Sequence, residues 1–359
     1  MRTTTLYRAG AAITLAASMM LATAAAHAEL TKLRYGNVTE MTLSQAPMVA
    51  AKRLGYFKDE GLDVELMGFK GTGILIPQML AKRVDIGYPN PDTLILSRAP
   101  GAERLPLKFF YNATRSSGWE FAVLADSPIK TLKDLDGKSI GVGAMTFGNV
   151  PITKAQFKEA GINATMVPVG IGSAAFLALT THRIDALNLF DAQHATLETQ
   201  GTSIRRIAQI PSFAALFSNS FVAHEDMIRD KPEVLAGFGR AVAKATVFCE
   251  ANRAACVRMF WQEYPNTRPA GDDAKVLADS VKVFSARFDK MLDFPAGPAR
   301  HWGEFPAQAW QDFAKALYEG GQLSSPKVDV ADCYTNALVA KFSDFDAAKV
   351  VAAAHAWKD

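Results

Sequence analysis

The sequence has little cysteine, little histidine and no excess of charge. Its three cysteines, Cys249, Cys256 and Cys333, lack close pairs and histidine support, and no two of its six histidines stand three to five residues apart. That spacing excludes the usual zinc sites. Lys and Arg number 39 against 36 acidic residues, a balance that leaves no electrostatic footprint for nucleic acid or an anionic membrane. Gly143 to Gly148 has the glycine spacing of a phosphate-binding loop but no Lys-Ser/Thr pair after it, so it lacks both the bridging charge and the metal-binding hydroxyl. Gly141-x-Gly143 lacks the third glycine of the dinucleotide fingerprint, and no Gly-x-Ser-x-Gly elbow occurs. Past the first residues, no stretch approaches the ~18 uninterrupted apolar residues of a membrane span.

What is present begins with a leader. Arg2 and Arg8 precede an apolar run from Ala9 to Ala24, which closes on Ala26-His27-Ala28, the small-x-small pattern of a signal-peptidase site. Residues 1–28 therefore read as a cleaved signal peptide, with the mature chain starting near Glu29. No cysteine stands at the junction, which argues against a lipid anchor and for release into the periplasm. Losing Arg2 and Arg8 leaves 37 basic against 36 acidic residues. The remaining length of about 330 residues exceeds what one core usually holds, so two domains are expected.

One pattern is used twice. Lys32 to Gly36 reads as a strand, Ala46 to Phe57 as a helix broken in the Gly55 and Gly61 region, and Leu62 to Leu66 as an alternating strand. Gly71-Thr72-Gly73 opens a second helix, and Arg83-Val-Asp85-Ile-Gly87 enters a third strand. About a hundred residues later, Lys138 to Val142 is a strand and a helix begins near Pro151. Gly161-Ile162 echoes Gly61-Leu62, Ser173 echoes Gly73, and Arg183-Ile-Asp185-Ala186 echoes Arg83-Val-Asp85-Ile86. Four echoes in one element order argue for two similar α/β lobes, each a mainly parallel sheet flanked by helices. Phe121 to Leu124 carries the chain from the first lobe to the second, and Asn219 to Ala223 returns it. Lobe one is expected at 30–118 plus 220–359, and lobe two at 119–219. Long helices are expected at Pro232–Glu250, Asn252–Glu263, Gly271–Arg287 and Pro306–Glu319.

Cys249 and Cys256 are too far apart on one straight helix for a disulfide. Asn252, however, reads as the N-cap of a new helix, and a break there could fold the two sulfurs together in an oxidising compartment. Cys333 would then be a leftover, buried thiol.

Several of these segments carry a family resemblance. Ala46-Pro-x-x-x-Ala51, Gly55-Tyr-Phe57-Lys-Asp-Glu-Gly61-Leu-Asp-Val64 and Arg83-Val-Asp85-Ile-Gly87 resemble the first lobe of nitrate/sulfonate/taurine-type solute-binding proteins, the NMT1/THI5-like group. Ser127-Pro128-Ile-x-x-Leu132-x-Asp134-Leu-x-Gly137-Lys-x-Ile140-Gly-Val142 resembles the start of the second lobe, and Tyr334-Thr-Asn336 is similar to the family's tail. The resemblance implies a type II periplasmic-binding-protein (Venus-flytrap) fold. It also implies a monomer with no cofactor, which delivers a small-molecule ligand to an ABC permease and its ATPase in the inner membrane. Fungal relatives that make a thiamine pyrimidine carry a cysteine-rich motif and an internal histidine and lack export signals; nothing here resembles that motif. A ligand-sensing partner of a membrane receptor would share the fold.

The candidate ligand-binding residues follow from strand ends. Ligands of open α/β sheets sit beyond the carboxyl ends of strands, where helix N-termini offer free N–H groups. Such loops carry Thr42 and Ser44, Thr72 and Gly73, Thr146, Phe147 and Asn149, and Gly172 and Ser173. Each hydroxyl there could equally serve as a helix cap. Tyr88-Pro-Asn90-Pro-Asp92 and Phe190-Asp191 follow the third strands and should face each other; Phe190 could instead be core and Asp191 a cap. Asn112, Arg115 and Trp119 lie near the expected hinge, with Arg115 offering a fork for an anion or a solvated surface charge. Trp302 sits in a Pro/Gly-rich loop able to lid the cleft or to pack beneath it. Helix N-termini and Arg115 suggest a sulfonate, carboxylate or aromatic acid, whereas Glu40, Asp92, Glu120 and Asp191 could favour an amine or pyrimidine.

Overall fold

The computed structural model describes residues 29–297 and 299–359; the signal-peptide expectation for 1–28 lies outside the described residues. Ten strands form two five-stranded sheets. The first contains β1 (Thr31–Asn37), β2 (Leu62–Gly68), β3 (Ile86–Tyr88), β4 (Leu107–Tyr111) and β10 (Phe221–His224), in the order β2-β1-β3-β10-β4. The second contains β5 (Trp119–Leu124), β6 (Ser139–Val142), β7 (Thr165–Pro168), β8 (Ala186–Phe190) and β9 (Ile204–Ile207), in the order β7-β6-β8-β5-β9. The two orders correspond strand for strand. In each sheet one strand runs against its neighbours: β10 against β3 and β4, β5 against β8 and β9. Each of these reversed strands is laid down just after the chain crosses from the other sheet.

The repeat read from the sequence has a structural basis. Arg34 N–H donates to Asp85 Oδ2 at 2.8 Å, and Ser139 N–H donates to Asp185 Oδ2 at 2.8 Å. Each aspartate thus pins the turn before the third strand to the first strand. Gly61 and Gly161 hold left-handed φ of 71° and 67° where a helix turns into the second strand, a conformation that costs other residues about 1–2 kcal/mol.

Several boundaries differ from expectation. The first helix stops at Arg53 and a separate turn runs Tyr56–Asp59, because Gly55 between them is left-handed with φ 79°. Arg83–Asp85 and Arg183–Asp185 are turns rather than strand, since Lys82 and His182 redirect the backbone just before them. Strands β4 and β9 and the helix Ala347–Ala356 were not expected. At the cysteines the chain breaks where the Asn252 cap was read: helix Pro232–Ala251 ends, Asn252 Oδ1 accepts from Ala255 N–H at 2.9 Å, and helix Arg253–Glu263 begins. The turn brings the Cys249 and Cys256 Cα atoms to 5.5 Å and the two are joined as a disulfide. Cys333 is a buried thiol whose pKa burial pushes up to about 12.

Both faces of the first sheet are covered. Helices Ala46–Arg53, Pro232–Ala251 and Arg253–Glu263 pack on one face around Phe57, Phe238 and Phe260. On the other, Trp310 of helix Ala307–Glu319 is fully buried among Phe109, Phe217, Phe305 and Tyr334. Burying one tryptophan removes about 200 Å² from water, worth roughly 5 kcal/mol. Two helices of the C-terminal half also reach the second lobe. Helix Ala307–Glu319 packs on Asn149–Ala160, and Asp273–Met291 packs on Asp191–Thr199.

Candidate functional site

The chain crosses between the sheets twice, and the crossings are bonded to each other. Ser218 N–H donates to Thr114 O at 2.8 Å, and Ser117 N–H donates to Ala214 O at 3.0 Å. Asn112 is buried in this ribbon, its Oδ1 accepting from Ser220 Oγ at 3.4 Å and its Nδ2 donating to Glu304 O at 3.2 Å. Above the ribbon the carboxyl ends of both sheets meet. They approach closely at Gly148, where a Cβ would lie 2.5 Å from Asn90 Nδ2 and 3.2 Å from Asp92 Oδ1. Asn90 itself is buried and accepts from Ser218 Oγ at 3.3 Å.

On the first-sheet side lies an aromatic pocket continuous with solvent. Its floor is built from strand ends: Tyr35 of β1, Tyr88 of β3, Tyr111 of β4 and Phe221 of β10. Phe221 is the hub, 6.0, 5.4 and 5.3 Å from the Tyr35, Tyr88 and Tyr111 rings. Ser44, Gln45, Met48, Thr246, Met291 and Trp302 complete the wall. The Tyr35 hydroxyl is buried without a hydrogen-bond partner among the described residues, which costs about 1–3 kcal/mol unless something supplies one. Tyr88 is satisfied by the Thr114 hydroxyl.

The second lobe answers with an aromatic triad. Trp119 and Phe190 are 4.3 Å apart, and Phe147 stands 6.2 Å from Phe190 and 6.3 Å from Trp119. These three come from the start of β5, the end of β8 and the loop after β6, and the fold gathers them at the carboxyl end of the second sheet.

Other expected residues are placed differently. Asn149 is turned into its own lobe, donating to Asn188 O at 3.2 Å beside Thr153, which donates to Asn188 Oδ1 at 2.9 Å. Thr146 is exposed. Thr42 forms a capping box with Gln45. Thr72 and Gly73 open helix Thr72–Leu80, and Ser173 opens helix Ser173–Thr180 behind Gly172, whose N–H donates to Gln193 Oε1 at 2.7 Å. None of these four lines the pocket. The Arg115 guanidinium lies over the Phe294 ring at 4.2 Å, and desolvation lowers its pKa. Trp302 is buried against the edge of Phe294, 4.9 Å away, and lines the pocket from above.

Asp191 is buried to 1% exposure and bound by Arg287, whose Nε donates to both carboxylate oxygens at 3.0 Å. Arg287 belongs to helix Asp273–Met291, so this ion pair joins the two lobes. Burial pushes the Asp191 carboxyl up against the pull of Arg287. Nearby, burial pushes Glu120 up, but His194 and Arg206 pull it further the other way, to about 2. Arg287 carried no local signal in the sequence, because its partner lies 96 residues away. The pocket tyrosines did carry one: Tyr35, Tyr88 and Tyr111 all stand at or near the carboxyl end of a strand.

A second depression lies on the far end of the second sheet near Asp126, Lys138 and Asp185. Among the described residues, no cluster of three His, Cys, Asp or Glu is placed to hold a metal ion, and no helix is long and apolar enough to cross a membrane.

Known proteins resemble the chain along most of its length. A binding protein of Brucella abortus is 24% identical over 224 residues, covering 61% of this chain and 67% of the relative. The 4-amino-5-hydroxymethyl-2-methylpyrimidine phosphate synthase of Aspergillus parasiticus is 26% identical over 318 residues, 84% of this chain and 85% of that one. Among solved structures, the alkanesulfonate-binding protein SsuA from Xanthomonas axonopodis pv. citri, bound to MOPS, shares the fold with a TM-score of 0.64 at 18% identity, over 86% of this chain and 100% of that one. Residues 43–255 match the family model described as NMT1/THI5 like, and with more than half its length inside that match, the chain belongs to the NMT1/THI5-like family.

Proposed function

We propose that this chain is the solute-binding component of an ABC importer, capturing a small organic molecule between its lobes and passing it to a membrane permease with its ATPase. The observation that carries the reading is the aromatic pocket at the carboxyl ends of β1, β3 and β4, opposed by the Trp119–Phe147–Phe190 triad where the two sheets meet. Concave, mostly apolar sites with a few fixed polar groups suit small organic ligands. The orphaned Tyr35 hydroxyl supports a cargo that brings its own polar group. Two lobes linked by a bonded two-strand ribbon support a hinge whose closed form the ligand favours.

The division into lobe one (30–118 and 220–359) and lobe two (119–219) belongs to this proposal, as do a monomeric state and export to the periplasm through a cleaved leader. The leader pattern and the Cys249–Cys256 disulfide both support an oxidising compartment. The similarity to the Aspergillus synthase raises an enzymatic reading. Against it, the pocket presents hydroxyls, an amide, thioethers and rings, two cysteines are tied together, and Cys333 is buried elsewhere.

A thermal-shift screen of the chain from Glu29, refolded from denaturant to strip bound cargo, tests this. Sulfonates, carboxylates, aromatic acids, amines and pyrimidines form the panel. A ligand at one hundred times its dissociation constant adds about 2.7 kcal/mol, enough to move the midpoint by a few degrees. Trp302→Ala should abolish the shift. Silence across every class from the refolded protein would end the solute-binding reading.

A further inference from the structure

We propose that the cargo is an uncharged cyclic organic molecule, with a carbonyl, amide or hydroxyl as its polar group and its apolar body in the aromatic pocket. This deepens the solute-binding reading above and rests on it. No residue lining the pocket is Asp, Glu, Lys, Arg or His. Rings, thioethers and aliphatic carbons make the wall, and its polar groups are hydroxyls, phenols and the Gln45 amide. Burial pushes the Tyr35, Tyr88 and Tyr111 phenols up, so the floor stays neutral at physiological pH. A carboxylate, sulfonate or ammonium seated there would lose its hydration and meet no opposite charge. A neutral carbonyl or amide loses much less, and hydroxyls can take up its hydrogen bonds.

The nearby groups that could answer a charge are already engaged. Helix Ala46–Arg53 begins at the pocket, through Ser44, Gln45 and Pro47, and a helix start is a usual seat for an anion. Here Gln45 N–H donates to Thr42 O at 2.9 Å, Ala46 N–H donates to Leu43 O, and Pro47 has no N–H. Arg287 Nε donates to both oxygens of Asp191 at 3.0 Å, and the Tyr88 phenol and Gly118 lie against its guanidinium. Arg115, the fork suggested by sequence, lies across Phe294, directs Nη1 to His301 O at 3.5 Å and faces Glu304 and Asp293. Neither arginine lines the pocket.

Asp92 stands where the lobes approach, its Oδ1 3.2 Å from the position of a Gly148 Cβ. It repels an anion placed between the lobes. It does not line the pocket, so an ammonium seated there gains no partner from it. The wall therefore selects against both signs of charge.

The test compares probes of one shape and three charges at pH 7.5, by calorimetry on the refolded protein. The sets are benzamide, benzoate and benzamidinium, and phenylacetamide, phenylacetate and phenylacetamidinium. In at least one set the neutral member should bind tenfold or more tighter than both charged members. Met291 is half-buried, ends helix Asp273–Met291 and lines the wall, so Met291→Lys adds one cation to the pocket. In that variant the affinity of the acid relative to its amide should rise tenfold or more. The unliganded thermal midpoint shows whether the variant is folded, and Ser44→Lys, at another half-buried wall position, serves in its place if it is not. A charged member that equals or exceeds the neutral one in every set, no binding by any neutral member, or an unmoved ratio in the folded lysine variant overturns the assignment. In those cases, a shift with a sulfonate, carboxylate or amine in the thermal screen leaves solute binding standing, and silence there as well removes both.

Discussion

Lys82 and His182 are the two non-glycine residues with positive φ among those described, at 54° and 55°, one hundred positions apart. Each ends the second helix of its lobe and turns the chain into the third strand. A left-handed backbone costs a side-chain-bearing residue about 1–2 kcal/mol, so both lobes retain the same local strain at the same corner. Both are exposed, but Lys82 is ion-paired with Asp226, which makes His182 the cleaner probe. His182→Gly should raise stability by about 0.5–1 kcal/mol and His182→Val should lower it by a similar amount. Urea denaturation midpoints read both.

Gly148 has an ordinary φ of −62°, so alanine there strains nothing locally. Its Cβ would nevertheless meet Asn90 across the cleft. Gly148→Ala should leave the unliganded protein as stable as before, weaken cargo binding about tenfold, and enlarge the radius of gyration of the liganded form in small-angle scattering. Gly148→Val should do so more strongly. An unchanged affinity in both variants would mean that the lobes need not approach at this point.

Two carboxylates set opposite pH dependences. Burial pushes Asp92 up to about 6 from 3.8. Between those values the folded state holds a proton that the unfolded chain has lost, so this group's contribution improves as pH falls through 6. Asp92→Asn should therefore stabilise the protein at pH 8, by at most roughly 3 kcal/mol, and change little at pH 4. Glu120 behaves in reverse. Its pKa of about 2, against 4.5, gives stability that is present above 4.5 and lost as pH falls through 2. Glu120→Gln should cost roughly 3 kcal/mol at pH 7 and converge with wild type in acid. Thermal midpoints across pH would separate the two.

The Cys249–Cys256 bridge closes a short loop. On the chain-entropy estimate, reduction or Cys249→Ser/Cys256→Ser should lower stability by about 2–3 kcal/mol. Because Asn252 caps the following helix independently of the sulfurs, far-ultraviolet circular dichroism at 25 °C should not change.

The repeat, the two lobes, the long C-terminal helices and the break at Asn252 were legible because each rests on local chemistry: a cap, a left-handed glycine, an alternating run. Strands β4 and β9 were not. Leu107–Tyr111 has no alternation to read because it is buried almost throughout, while Ile204–Ile207 is an edge strand of four residues with little buried surface. At the site, Phe190 was read as following a third strand, Phe147 as part of a strand-to-helix loop and Trp119 as lying near the hinge, whereas Tyr35 and Tyr111 were not singled out. Asn149 was read as facing a ligand when its partner was Asn188 in the next strand. Arg287 was invisible, since a buried ion pair between lobes depends on two distant segments meeting.

The reversed strand of the first sheet has a consequence for how the chain acquires its shape. β10 lies between β3 and β4 and holds both, with Val222 opposite Gly87 and Phe109. All five strands of the second sheet are contiguous from 119 to 207, so that unit has its full complement before β10 exists. Until residues 221–224 arrive, β4 has no hydrogen-bonding neighbour in its sheet. Order of assembly is thereby written into topology: the inserted lobe can close on its own, and the lobe that begins the chain is completed last.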